Sequence, residues 1–300
     1  MMSAYEKNNV LGFFVNICSM LMFVITDILI KYLTQFMPTF EIIFYRFLCG
    51  IPFFLVYIYF IKGFKTLEIV NVKLQFIRMI LGILSTFSFV NAYKYMPLAE
   101  AASILYTSPI ILTILSIIFF NEKIRIHRTI ALLMGVVGSL LIIRPGVNFQ
   151  IYSLYAVFGA INWAFVIITM GALSKTDHPN SITFYFSLAG VLIGGSVSLF
   201  NGMTPIFDMQ TFFLLILMGV AGILAQLFMV IAVEMCDTSL FASSKYINLV
   251  LTSFGAYVIF NEVLSNQSLL GMLLIITGGL YMVWREHVLN KPKRIKVFRC

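Results

Sequence analysis

Charge is what this chain of 300 residues has least of: 12 acidic and 20 basic side chains make up 11% of it. A soluble domain carries roughly a quarter charged residues, so too few are present here to cover a water-facing surface. Cysteine is scarce as well. Cys18 and Cys49 fall inside apolar runs, Cys236 lies near a helix end and Cys300 is the last residue. No CxxC joins any of them, which argues against a disulfide framework or a metal site, and no cofactor is expected. A terminal cysteine with nothing after it is not a prenylation box. Missing too are HExxH, GxSxG, GxxxxGK(S/T) and paired intramembrane aspartates, while His127, His178 and His287 all fall in loops or at helix ends. An intramembrane enzyme or an ATP-driven pump therefore has no residues here to carry its chemistry. A channel would show a ring-forming filter sequence or a gating-charge helix, and neither pattern is present.

What fills the chain instead is apolar: 61% of it is hydrophobic and 15% aromatic, with 30 phenylalanines. A membrane helix takes about 20 mostly apolar residues. Runs of that kind fall at roughly 11–34, 39–61, 75–96, 100–120, 127–143, 150–171, 181–199, 211–233, 239–260 and 266–285. The breaks hold turn chemistry: Met37-Pro38, Met96-Pro97, Arg144-Pro145-Gly146, His178-Pro179-Asn180 and Asn201-Gly202. No run alternates with period two, so a β-barrel is not expected. The first run, about 24 residues long, exceeds a signal-peptide core and reads as a retained helix. Fifteen Lys and Arg, Arg78 among them, fall at the N-terminus, in the connections after runs two, four and six, or in the C-tail. The opposite side holds only Lys94 and Arg144, which predicts cytoplasmic termini. The net charge of +8 thus serves topology on anionic lipid, with no nucleic-acid partner implied.

Shifting the sequence by 140 residues lays it on itself. Phe44-Tyr45 falls on Phe184-Tyr185, Leu48 on Leu188, Gly50 on Gly190, Gly82 on Gly222, Ala102-Ser103 on Ala242-Ser243 and Tyr106 on Tyr246. The clearest match lays Phe120-Asn121-Glu122 on Phe260-Asn261-Glu262, with Gly138 on Gly278 beyond it. Two halves, 1–145 and 146–286, then precede a basic cytoplasmic tail, 287–300. Five helices per half is an odd number, so the second half must sit upside down relative to the first. The expected fold is an all-α membrane protein of ten transmembrane helices, built as a 5+5 inverted repeat. Secondary transporters use this construction: equivalent halves exchange conformations and expose a midplane site alternately.

A charge at mid-bilayer costs at least about 2.5–3.5 kcal/mol, so each one needs a reason. Asp27 and Lys31 lie four apart on the first helix, and Glu41 and Arg46 lie on the second. In a tight antiparallel hairpin Asp27 would face Arg46 and Lys31 would face Glu41, near the outer mouth. These are either helix-locking ion pairs or an outer gate whose pairs break as the site opens. Lys245 sits roughly 9 Å into the ninth helix at 1.5 Å per residue, opposite Met229 or Val230 and without a counter-charge. It either snorkels to the interface or offers its ammonium to a substrate carboxylate or phosphate. Tyr106 and Tyr246, related by the repeat, can flank such a site. Trp163, Asn162 and Gln226 are further polar or stacking candidates, each equally suited to helix packing. The partners implied are a small-molecule substrate and membrane lipid; oligomeric state is left open.

Several of these residues carry a resemblance. Lys31 ends helix 1, Phe44-Tyr45-Arg46-Phe47 opens helix 2, and helix 4 runs from Ser108-Pro109-Ile110-Ile111-Leu112-Thr113 to Phe119-Phe120-Asn121-Glu122. Gly135 and Gly138 then precede Arg144-Pro145. Over nearly its whole length the chain resembles the EamA-like branch of the drug/metabolite transporter superfamily. The resemblance implies a secondary carrier of a small polar metabolite in the bacterial inner membrane, moving amino acids, nucleotide sugars or drugs. A narrower similarity, to S-adenosylmethionine uptake carriers of intracellular bacteria, rests on three segments. They are the run from Asp27 to Tyr32, Phe40-Glu41 with Arg46-Phe47, and the stretch from Lys245-Tyr246 to Phe260-Asn261-Glu262. Those carriers typically have Arg where Lys245 stands, so the charge is kept and the guanidinium geometry is not. This similarity implies S-adenosylmethionine uptake, with Lys245 at the carboxylate, tyrosines on the adenine and an acidic residue at the sulfonium or amine. Export of an amino acid or drug is the alternative.

Overall fold

The computed structural model describes residues 9–105, 107, 108, 111, 115, 126–143, 151–204, 208–235 and 238–289. Every regular element among them is helical. In chain order these are α1 (Asn9–Leu33), α2 (Thr39–Leu48), α3 (Gly50–Tyr57), α4 (Val72–Tyr95), α5 (Leu98–Leu105) and α6 (Ile126–Ile143). They are followed by α7 (Ser153–Leu173), α8 (Pro179–Asn201), α9 (Met209–Met235), α10 (Thr238–Phe260) and α11 (Asn266–Leu289). Six stretches are long and apolar enough to cross a membrane: Val10–Leu33, Thr39–Lys62, Val72–Tyr95, Ser153–Leu173, Pro179–Asn201 and Met209–Met235. They coincide with runs one to three and six to eight of the sequence. Leu133–Ile143 and Asn248–Phe260 are shorter apolar helices. The fourth run is helical over Leu98–Leu105, and most of its remainder, with Pro109 and Glu122, lies outside the described residues.

The helix ends follow from the residues at the breaks. Pro38 and His178 sit extended as N-caps of α2 and α8, as expected next to a proline's fixed φ and its missing N–H. Gly202 closes α8 at φ +81°, a conformation glycine adopts freely. Between α2 and α3 the helix breaks at Cys49, where Pro52 denies Leu48 its usual donor. Asn261 ends α10 at φ +52°, a left-handed state that asparagine tolerates better than most residues.

The 140-residue offset also organises the packing. It exchanges α1 with α7, α4 with α9, α2 with α8, α5 with α10 and α6 with α11. The contact of α1 with α9 has its counterpart in α7 with α4, and that of α1 with α10 in α7 with α5. The pairs α2–α8, α5–α10 and α6–α11 map onto themselves. The same exchange reaches single hydrogen bonds. Ser19 Oγ donates to Ala225 O at 2.7 Å, and Ser85 Oγ donates to Gly159 O at 3.2 Å; 19 pairs with 159 and 85 with 225. Where α6 crosses α11, a Cβ on Gly138 or on Gly271 would stand 2.6 Å from the other's carbonyl oxygen. Small residues at crossings let backbones approach where lipid removes the hydrophobic drive for association.

The ends of the bundle are tied by carboxylates. Asp177, just before α8, accepts from the backbone N–H groups of Val70 and Asn71, just before α4. Glu41 accepts from the backbone N–H of Thr204 at 2.9 Å and from its hydroxyl at 3.0 Å. Arg78, counted above with the cations of the connections, is fully buried inside the bundle.

Candidate functional site

A cavity opens between α1, α2, α4, α5, α7, α8, α9 and α10. Fourteen residues line it: Met20, Phe23, Asp27, Arg46, Thr86, Phe89, Tyr93, Leu105, Ser108, Trp163, Phe186, Gln226, Met229 and Asn248. With its open mouth it takes in about 670 Å³ of space. Ten of the fourteen form five pairs 140 residues apart: 23 with 163, 46 with 186, 86 with 226, 89 with 229 and 108 with 248. The cavity therefore lies where the two copies of the repeat meet. Phe23 and Trp163, one such pair, touch each other edge to face with ring centroids 6.3 Å apart.

The chemistry on this symmetric frame is one-sided. Arg46 pairs by position with Phe186, and Asp27 with Ile167. Among the described lining residues, the charges thus come only from the first half of the chain. Asp27 lies on α1 within electrostatic reach of Arg46 on α2 and within hydrogen-bonding reach of Tyr93 on α4. Both charged residues are buried, Asp27 and Arg46 at 7% exposure each, so their mutual attraction is poorly screened. Gly222 leaves room for the arginine: a Cβ there would stand 3.3 Å from Arg46 Nε. Phe23, Phe89 and Trp163 supply aromatic faces, and the Nε2 of Gln226 is buried without a hydrogen-bond partner among the described residues. The arrangement offers a solute an anion, a cation, aromatic surfaces and an unspent amide donor. The described residues include no group of three or more His, Cys, Asp or Glu able to hold a metal.

The residues expected from sequence divide as follows. Asp27, Arg46, Trp163 and Gln226 meet in the cavity. Asn162 does not line it, since its Nδ2 donates to Phe158 O of its own helix at 2.9 Å. Lys31 is not paired with Glu41. Its Nζ lies 3.4 Å from Glu262 Oε1 and donates to Met96 O at 2.6 Å, because Asn261 turns Glu262 back over the end of α5. Glu41 is taken by Thr204 instead. Tyr106 lies outside the described residues. Lys245 and Tyr246 belong to α10, but their side chains lie outside what is described. Sequence reading missed Tyr93, Thr86, Phe89, Ser108 and Asn248. Applying the offset to Trp163, Gln226 and Arg46 would have pointed to Phe23, Thr86 and Phe186.

Known proteins resemble this chain in sequence and in shape. The S-adenosylmethionine uptake transporter of Rickettsia bellii is 27% identical over 266 residues, covering 87% of this chain and 89% of the relative. The pseudopaline exporter of Pseudomonas aeruginosa is 26% identical, covering 85% and 90%. The riboflavin transporter of Brucella anthropi is 23% identical, covering 75% and 81%. A solved crystal structure shares the fold with a TM-score of 0.67 at 18% identity, spanning 94% of this chain and all of its own. The sequence pattern of the EamA-like transporter family matches residues 10–144 and again 150–284. The protein is thus a membrane transporter for a small molecule rather than an enzyme, and the chain belongs to the EamA-like transporter family.

Proposed function

We propose that the protein is a secondary active carrier of the bacterial inner membrane, working by alternating access around the cavity at the repeat interface. The observation that carries this reading is the set of five lining pairs 140 residues apart. Two equivalent halves meeting at one site can exchange their conformations and so present that site to either side in turn. In this reading ten helices span the membrane as two inverted halves, 1–145 and 146–286. Both termini lie in the cytoplasm, as the distribution of Lys and Arg favours. Lys31 with Glu262 closes the outer end.

The solute is a small zwitterionic or amphiphilic metabolite, and S-adenosylmethionine is the first candidate. Relatives carrying that name match most of the chain, and the cavity supplies what the molecule needs. Asp27 suits a sulfonium or amine, Arg46 a carboxylate, and Trp163 with Phe23 an adenine face. Lys245, Tyr246 and Tyr106 are further candidates to meet the solute, argued from sequence alone. Export is the second reading, favoured by the similarity to the pseudopaline exporter. Purified protein in liposomes, offered labelled S-adenosylmethionine beside amino acids and riboflavin, tests both. Preferential uptake of S-adenosylmethionine supports the first candidate. Preference for another solute excludes it, and the active orientation gives the direction.

A further inference from the structure

Arg78 lies six residues into α4, fully buried, and none of Nε, Nη1 and Nη2 has a hydrogen-bond partner among the described residues. No acidic side chain among them acts on it. Two further cations among the described residues are placed differently: Lys31 faces Glu262 and Arg46 faces Asp27. A guanidinium does not give up its proton inside a protein, and burying it unpaired is strongly unfavourable.

Its surroundings define what is missing. α4 and α8 start side by side, since Asp177 binds the backbone just ahead of α4. The two helices therefore run parallel, and Gln75 and Thr183 lie about one turn before Arg78 and Phe186 on them. The Arg78 guanidinium lies over the Phe186 ring, 4.5 Å from its centroid. One turn lower, Gln75 is buried with both amide atoms unpartnered, and Thr183 is buried with its hydroxyl unpartnered. Gly82 leaves the space for this stack, because a Cβ there would collide with both Nη1 of Arg78 and the Phe186 ring. Phe186 also lines the cavity, so its ring stands between the Arg78 guanidinium and the solute site.

We propose that Arg78, Gln75 and Thr183 form a carboxylate subsite beneath the cavity, reached past the Phe186 ring and visited by the solute's carboxylate on its way through. Two carboxylate oxygens satisfy the guanidinium fork together with the hydroxyl and the amide. The subsite rests on the carrier reading above, and is tested apart from it. Thermal midpoints of the purified full-length protein are measured against acetate at constant ionic strength. Acetate at ten times its Kd is expected to raise the wild-type midpoint by about 2 °C. Arg78→Gln should abolish that rise, and the isosteric Thr183→Val should reduce it.

Without acetate, Arg78→Gln should have a midpoint equal to or above wild type, because an unpaired buried charge is gone. An equal acetate shift in wild type and Arg78→Gln overturns the proposal, as does a lower midpoint of Arg78→Gln, which marks Arg78 as structural. A shift by dimethyl phosphate and not by acetate overturns it too, and assigns the site to a lipid phosphodiester. If Arg78→Gln cannot be purified folded, Thr183→Val decides: an acetate rise as large as the wild type's contradicts the subsite. Counterflow of solute by wild-type protein in liposomes, measured in parallel, judges the carrier reading independently.

Discussion

Lys31 of the first helix and Glu262, just past the end of α10, lie 3.4 Å apart and join the two halves of the chain at one end of the bundle. The second oxygen of Glu262 accepts from the backbone N–H of Leu98 at 2.6 Å, where α5 begins with its donors unsatisfied. Lys31 in turn donates to Met96 O. One carboxylate thus fastens a lysine, a helix start and the turn at Asn261.

If this latch closes the outer end, Lys31→Glu and Glu262→Lys should each slow solute counterflow several-fold. The double exchange should restore part of it, since it renews the charge pair but leaves the Leu98 N–H without its acceptor. Pairing Lys31→Glu with Glu41→Lys should restore nothing, since Glu41 is bound by Thr204. Recovery in that second pair would contradict the assignment.

The protein has two tryptophans, and only Trp163 lines the cavity. In a Trp284→Phe background, solute binding should therefore change the emission of Trp163. Arg46→Gln and Asp27→Asn should each weaken that response about tenfold or more, as expected for removal of a charge-assisted bond. Fluorescence titration checks this, and unchanged affinity in both variants would place the solute elsewhere.

The two hydrogen bonds exchanged by the offset give a stability test of the repeat. Ser19→Ala and Ser85→Ala should each cost about 1 kcal/mol, the usual net worth of one such bond. Their effects should be similar and close to additive, as expected for sites that share no partner. Chemical denaturation in detergent micelles measures both. A cost confined to one of the two would argue against equivalent packing.

His178 caps α8 by accepting the N–H of Asn180 on its Nδ1 at 3.1 Å, a role only the neutral ring can fill. Burial and then the nearby Lys62 push its pKa below the usual value. A folded pKa below the unfolded value of about 6.5 means that the contribution is intact above that pH and falls away as pH drops through the folded value. Acidification from pH 7 to 5 should therefore lower the thermal midpoint of wild type more than that of His178→Asn, which keeps a capping side chain without titrating. Equal losses would show that His178 is not responsible.

The helical fold could be read from the sequence because its signals are long-range averages. Six apolar runs became membrane-length helices with ends at Pro38, His178 and Gly202, where proline or glycine chemistry acts locally. Asp27 and Arg46 could be found because a buried charge is conspicuous against an apolar background. The partner of Lys31 could not. Hairpin arithmetic considers only neighbouring helices, whereas Glu262 arrives from the other half of the chain through a left-handed turn at Asn261. Arg78 was hidden for a related reason. By sequence it stands near a charged connection, whereas in the bundle it is buried with its guanidinium over the Phe186 ring of α8. Asn162 is not among the lining residues, and its Nδ2 donates to Phe158 O within its own helix; local hydrogen bonding of that kind leaves no mark in composition.

In the proposed cycle a solute site at the repeat interface, held by Asp27 and Arg46, is exposed alternately to the two sides. Counterflow in liposomes reconstituted with the purified protein tests it most directly, using S-adenosylmethionine and a panel of amino acids without ATP. The expected result is saturable uptake of a labelled solute, accelerated by the same unlabelled solute inside the vesicles and lost in Arg46→Gln. Flux that rises linearly with concentration, ignores the solute on the far side and survives Arg46→Gln would contradict it.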